Sequence, residues 1–197
     1  KPKIKIDKKS SLGLENVGST CYMNATLQCL AHIKDVAEHI INYRENDLFK
    51  DTNKYKLSSV YSEVVENIWF PKEEQKAFTP QKFKEVLGTM NPLFEPYVVN
   101  DPKDLLIYLI DQMHKELNES KENNNILLTP RNLDRTNKGQ VLQCFFEEFS
   151  KKYNSIFSNY FYGSIMSMTQ CKHCFVTKYS YQNFYFIILP LLEIKKN

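Results

Sequence analysis

Cys21 stands directly after Gly18-Ser19-Thr20 and directly before a stretch with helical apolar spacing. A free thiol is only slightly ionised at neutral pH. At a helix N-terminus, however, unbonded N–H groups and the macrodipole stabilise the thiolate, the form that attacks carbonyl carbon. Five residues earlier on the same loop, Asn16 carries an amide N–H₂ that could donate to an oxyanion formed by such an attack, together with the backbone N–H of Cys21. Each residue also has a plainer reading. A lone cysteine behaves as a small buried hydrophobe, and an asparagine in such a loop makes turns.

A second chemical pair is Cys171-Lys172-His173-Cys174. C-x-x-C spacing supplies two of the four ligands of a structural zinc ion. A thioredoxin-like redox use fits poorly, because that motif opens a helix after a strand and this one falls in a hairpin turn. His173 reads as a surface residue, and Cys29 and Cys144 read as core residues on apolar helix faces.

A nucleophilic cysteine also needs a base, and the chain has four histidines, His32, His39, His114 and His173. The first two lie at least two helical turns beyond Cys21, the third deep in another helix and the last at a hairpin tip. None has an evident route to the sulfur.

The elements that must hold these groups follow from periodicity. A helix is expected from Cys21 to Ile33, with Met23, Leu27, Leu30 and Ala31 inward, and another near Val36 to Tyr43. The clearest covers 57–69, where Leu57, Val60, Tyr61, Val64, Val65 and Ile68 make a wide apolar stripe. A short helix is expected with Thr79 as N-cap, Pro80 first and Gly88 just beyond its end. Asp101-Pro102-Lys103-Asp104 should cap and open a further helix through Leu105, Leu106, Leu109, Ile110, Met113 and Leu117. Residues 118–125 read as a polar loop and Gln140 to Tyr153 as a helix. From Tyr160 alternating β-branched and aromatic residues predict a hairpin with Cys171–Cys174 at its tip.

Composition narrows the classes. The 26 basic residues are interleaved with 23 acidic ones and the formal net charge is +3, so no basic stripe of the kind that neutralises nucleic-acid phosphates is present. No apolar run approaches the roughly 18 residues of a membrane span, and the Lys-rich start lacks the apolar core of a secretory signal. With five cysteines, an odd number, a cytoplasmic or nuclear chain with reduced thiols is expected, with neither nucleic acid nor membrane as partner.

The run Gly13-Leu14-x-Asn16-x-Gly18-x-Thr20-Cys21-Tyr22-Met23-Asn24-Ala25-x-Leu27-Gln28 resembles the cysteine box of the ubiquitin-specific proteases, papain-like cysteine peptidases that cleave after ubiquitin's C-terminal glycine. Two later stretches agree in order and spacing. Asn100 to Leu106, continuing to Leu109, Asp111, His114 and Leu117, resembles the family's Asp-Ala-Gln-Glu-Phe helix, with proline, lysine and aspartate in three of the usual places. Phe161-x-Gly163-x-Ile165-x-Ser167, Cys171-x-x-Cys174, Ser180 and Phe184 resemble the start of the fingers.

The resemblance implies an α+β, papain-like fold of the ubiquitin-specific protease type. Residues 1–11 would be a flexible basic tail, 12–155 a helical thumb carrying the nucleophile, and 156–197 the start of β fingers. Cys21 would be the nucleophile and Asn16 the oxyanion-hole donor, while Ser19 replaces the asparagine most common at its position. Asp101 would help hold the extended ubiquitin tail, besides serving as an N-cap. Cys171 and Cys174 would be half of a zinc site, with no cofactor needed for catalysis.

The implied partners are ubiquitin or ubiquitinated proteins, and a monomer is expected. The family's His box resembles nothing in this chain, so the palm is expected to be missing and the chain to supply the nucleophile half of a deubiquitinase. The alternatives are a non-catalytic ubiquitin-binding or scaffold module and a peptidase for a ubiquitin-like modifier.

Overall fold

All six stripe residues of α3 (Lys56–Trp69) are buried, from Leu57, Tyr61, Val65 and Ile68 at 0% exposure to Val60 at 6%. Helices α1 (Cys21–Ala31), α2 (Lys34–Glu45), α4 (Gln81–Met90) and α5 (Pro102–Leu117) all pack on this helix. Each brings its own apolar stripe: Met23, Leu27, Leu30 and Ala31 from α1, Val36, Ala37, Ile40 and Ile41 from α2, and Leu105, Leu109, Ile110, Met113 and Leu117 from α5. Burying such stripes, rather than helix propensity, supplies most of a helix's stability.

The computed structural model describes residues 3–7, 12–51, 53–120 and 133–189. They form two units, residues 1–118 with 155–157, and residues 119–154 with 158–197.

Helix starts in the first unit use different devices. Asp101 Oδ1 accepts from the Lys103 N–H at 2.8 Å and so caps α5 as expected. Helix α3 has no cap of its own. The carboxylate of Glu116, reaching across from α5, accepts from the N–H groups of Leu57 (3.1 Å) and Ser58 (2.8 Å) instead.

Helix α4 departs from expectation at both ends. It begins at Gln81 with Pro80 in the cap position, because the Thr79 hydroxyl is bonded to the Glu15 carboxylate. Gly88 lies inside the helix, where a Cβ would come within 3.1 Å of Glu95 Cα. The glycine therefore permits close backbone approach rather than ending the helix. Asn91 then caps a 3₁₀ turn, Pro92–Phe94, by accepting from the Leu93 N–H at 3.0 Å.

Two small features carry no periodic signal. Strand β1 (Gly13–Leu14) pairs in parallel with β2 (Ala77–Phe78). The expected solvated tail also differs over residues 3–7. Ile6 is 3% exposed, Ile4 exchanges hydrogen bonds with the Asn42 side chain, and the Ile6 N–H donates to Glu38.

In the second unit, helix α6 (Lys138–Lys152) is capped by Asn137 and lies against the hairpin, with the Phe145 and Tyr181 rings 5.8 Å apart. Helix α7 (Ile156–Phe161), whose Phe157 belongs to the first unit, occupies the expected start of the fingers. Strands β3 (Gly163–Gln170) and β4 (Thr177–Phe184) form the expected antiparallel hairpin, in register from Gly163 opposite Phe184 to Gln170 opposite Thr177. Of the polar loop expected over 118–125, residues 121–125 lie outside the described residues.

Candidate active site

Cys21 is the first residue of α1 and is exposed. Thr20 holds the cap position without capping: its hydroxyl donates to Asn16 Oδ1 (3.0 Å) and accepts from the Val17 N–H (3.1 Å). The first helical bond runs from the Asn24 N–H to the Thr20 carbonyl. The N–H groups of Cys21, Tyr22 and Met23 thus have no acceptor among the described residues and leave the positive helix end open.

The turn before the thiol is tight. Gly18 has φ +109° and Ser19 φ +50°, both in the region that costs an L side chain energy. Asn16 holds this turn through a single atom. Its Oδ1 accepts from the Gly18 N–H (3.2 Å), the Thr20 N–H (3.0 Å) and the Thr20 hydroxyl. Backbone N–H donors identify that atom as the amide oxygen, which leaves the Nδ2 donors uncommitted among the described residues. The turn asparagine of the sequence reading is thus what the structure shows, with its amide N–H₂ left over.

Residues to which the sequence reading gave no role fix the rest of the approach. From α1, Asn24 Nδ2 donates to the Glu15 (2.9 Å) and Leu14 (3.3 Å) carbonyls, and Gln28 Nε2 to the Leu12 carbonyl (3.0 Å). Glu15 in turn donates its N–H to the Phe78 carbonyl. The available signal was a pair of long amides one turn apart on an otherwise apolar helix. Across the turn, a Cβ on Gly18 would meet Tyr97 Cδ1 at 3.1 Å, and the Tyr22 ring stacks 6.4 Å from that of Phe94.

Asp101 is exposed; besides the Lys103 N–H its carboxylate has the Lys103 ammonium at 3.8 Å. The start of α5 lies close to α1 at the Thr26 hydroxyl, which donates to the Tyr22 carbonyl at 2.9 Å and has the Pro102 carbonyl oxygen at 3.5 Å.

No histidine of the first unit contacts Cys21. His32 follows the far end of α1, about 16 Å of helix away, with Nδ1 2.7 Å from the Gln28 carbonyl oxygen and its ring against Trp69. His39 lies along α2 with its ring 5.8 Å from that of Tyr43. His114 is buried in α5, Nδ1 2.7 Å from Ser155 Oγ, and burial lowers its pKa.

Two cysteines differ from expectation. Cys29 is exposed rather than core, because Cys21, Ala25 and Cys29 follow one another at four-residue spacing along the outer face of α1. Cys144 is half-buried, its thiol 3.8 Å from Glu148 Oε1, with burial raising its pKa.

Cys171 and Cys174 are both exposed at the hairpin tip. The tip closes with the Cys171 N–H on the Val176 carbonyl (3.0 Å) and the Phe175 N–H on the Cys171 carbonyl (3.0 Å), Phe175 turning through φ +56°. The backbone N–H groups of Cys174 and His173 hold the Cys171 thiol below its ordinary pKa. Two thiols at this spacing are half the number of ligands that a structural zinc ion takes. Among the described residues no group of three or more histidine, cysteine or acidic side chains gathers around the tip.

The family model described as "Ubiquitin carboxyl-terminal hydrolase" matches residues 12–190. Ubiquitin carboxyl-terminal hydrolase 15 of Homo sapiens is 28% identical over 183 residues, which are 91% of this chain and 18% of that protein. Putative ubiquitin carboxyl-terminal hydrolase 11 of Arabidopsis thaliana is 28% identical over 188 residues, 94% of this chain and 21% of that protein. The chain therefore spans about a fifth of the length of these relatives.

Among solved structures, a chain of the SAGA Ubp8/Sgf11/Sus1/Sgf73 DUB module bound to ubiquitin aldehyde shares its fold. The TM-score is 0.58 at 19% identity, over 92% of this chain and 35% of that one. A mixed helix-and-strand architecture, a thiol opening its first long helix and a family match over nearly every residue from the cysteine loop onward agree: the chain belongs to the ubiquitin carboxyl-terminal hydrolase family.

Proposed function

We propose that the chain carries the nucleophile half of a cysteine deubiquitinase. The Cys21 sulfur attacks the carbonyl carbon of the peptide or isopeptide bond after ubiquitin's last glycine. The C–N bond breaks, the amine leaves with a proton, and water then hydrolyses the thioester. The observation that carries this reading is Asn16. Its oxygen is spent on the turn, so its N–H₂ remains to meet the oxyanion together with the open N–H groups of α1.

Asp101, at the exposed start of α5, is the acidic partner this reading assigns to the basic end of the ubiquitin tail. In this reading residues 12–155 are the thumb and 156–197 the start of the fingers, with Cys171 and Cys174 as two ligands of a structural zinc ion. The partners are ubiquitin or ubiquitinated proteins, met as a monomer in the cytoplasm or nucleus. No helix among the described residues is long and apolar enough to cross a membrane.

The rival reading is a ubiquitin-binding module without catalysis. Incubating the chain and its Cys21→Ala variant with ubiquitin bearing a C-terminal electrophile, followed by intact mass, separates the two. The expected result is a ubiquitin-sized adduct on the wild type alone. Adduct on neither protein, with ubiquitin still bound, would establish the module.

A further inference from the structure

Lys84 is a lysine where a solvated one would be ordinary, on α4 with 2% exposure. A buried ammonium is costly unless its donors are all met. Here three backbone carbonyls meet them, those of Phe94, Pro96 (3.0 Å) and Glu95 (3.4 Å), and the Tyr97 ring centroid lies 4.9 Å from Nζ. Four successive residues are thus gathered around one cation. Desolvation pulls the pKa of Lys84 down while the Glu95 charge opposes it.

Two further contacts bind this segment to α4. The Tyr97 hydroxyl accepts from Gln81 Nε2 at 3.0 Å, and Glu95 packs against Gly88.

The gathered segment touches the chain on both sides of Cys21. Tyr97 presses on Gly18, the pivot of the turn before the thiol, and Phe94 stacks on Tyr22, the residue after it. The three heavy atoms nearest to a would-be Cβ on Gly18 all belong to Tyr97. We infer that Lys84 is a positioning residue for the Cys21 nucleophile: by gathering the carbonyls of residues 94–96 it sets Tyr97 against Gly18 and so fixes the turn that aims the sulfur. This rests on the reading of Cys21 as the nucleophile.

The test uses the chain with the same ubiquitin electrophile, over a range of probe concentrations. The limiting rate of adduct formation reports the aim of the sulfur, and the half-saturating concentration reports ubiquitin binding. Lys84→Met and Tyr97→Ala are expected to lower the limiting rate about tenfold while half-saturation moves less than about twofold, since small misplacements of a reacting atom carry large rate costs. Tyr97→Phe, which keeps the ring on Gly18, is expected to stay within about twofold of wild type in both.

A purely structural role for Lys84 would move the melting temperature without this split or this rescue. If Lys84→Met does not fold, the Tyr97 pair decides, because Tyr97 is half exposed and its truncation opens no core. A limiting rate for Tyr97→Ala equal to wild type overturns the inference.

If the wild type forms no adduct, the nucleophile reading has failed separately. The relay is then read from iodoacetamide labelling mapped to individual peptides, with Cys29 on the same helix face as the internal reference. A fall in Cys21 labelling relative to Cys29 in Lys84→Met and Tyr97→Ala supports it, and an unchanged ratio overturns it.

Discussion

Ser19 shows how one dihedral angle gives a substitution its meaning. At φ +50° it occupies the left-handed region, which asparagine and glycine enter readily and β-branched residues resist. Ser19 thus sits where its backbone angle shapes the turn two residues before the thiol. Ser19→Asn is therefore expected to leave both melting temperature and adduct rate at or slightly above wild type. Ser19→Val should cost about 1 kcal/mol of stability and slow adduct formation, since the strain falls two residues before the thiol. Thermal unfolding and the ubiquitin-electrophile assay on the two variants check this. Equal behaviour of Val and Asn would mean that the turn is not held at positive φ in solution.

Among the elements, what the sequence made legible follows from how local each device is. Helix α3 was readable because six apolar residues at helical spacing need no knowledge of their partners, and α5 because Asp101 and Pro102 cap it within four residues. Thr79 and Gly88 misled because their partners, Glu15 and Glu95, come from other segments. At the site, Cys21 and Asn16 stood out by type and spacing. Lys84 did not, because nothing in a lysine's sequence neighbours announces three carbonyls arriving from the next loop.

The start of α3 belongs to the same class of hidden device. A carboxylate bonded to two N–H groups at a helix start makes charge-assisted bonds in a buried place, and Glu116 is 5% exposed there. Glu116→Gln, which replaces one acceptor by a donor facing N–H groups, should destabilise the first unit by about 1.5–3 kcal/mol. Glu63→Gln on the outer side of α3 removes only an exposed pair with Lys82 at 3.1 Å and should cost less than about 1 kcal/mol. Urea unfolding followed by fluorescence of Trp69, the last residue of α3 and the only tryptophan in the chain, measures both. A Glu116→Gln cost no larger than that of Glu63→Gln would show that α3 does not depend on the tertiary cap.

For the molecule as a folding unit, acidity acts through His114. The ring is buried and bonded to Ser155, where the chain returns to the first unit, with Phe157 wholly buried two residues on. Burial lowers its pKa below the ordinary imidazole value; the nearby Asp111 charge pulls it up and Lys115 pushes it down. The unfolded chain therefore takes up a proton at a higher pH than the folded one. Above about 6.5 the ring is neutral in both states and its contribution is intact. As pH falls below the unfolded value the unfolded state binds more protons, so stability declines until the folded pKa is passed. Trp69 fluorescence melts should show a midpoint that drops between pH 7 and 5.5, and a shallower drop in His114→Gln, which keeps a polar partner for Ser155 but cannot titrate. Parallel pH dependence in wild type and His114→Gln would assign the acid sensitivity to the carboxylates, and the return segment at Ser155 would then be held without regard to the charge on His114.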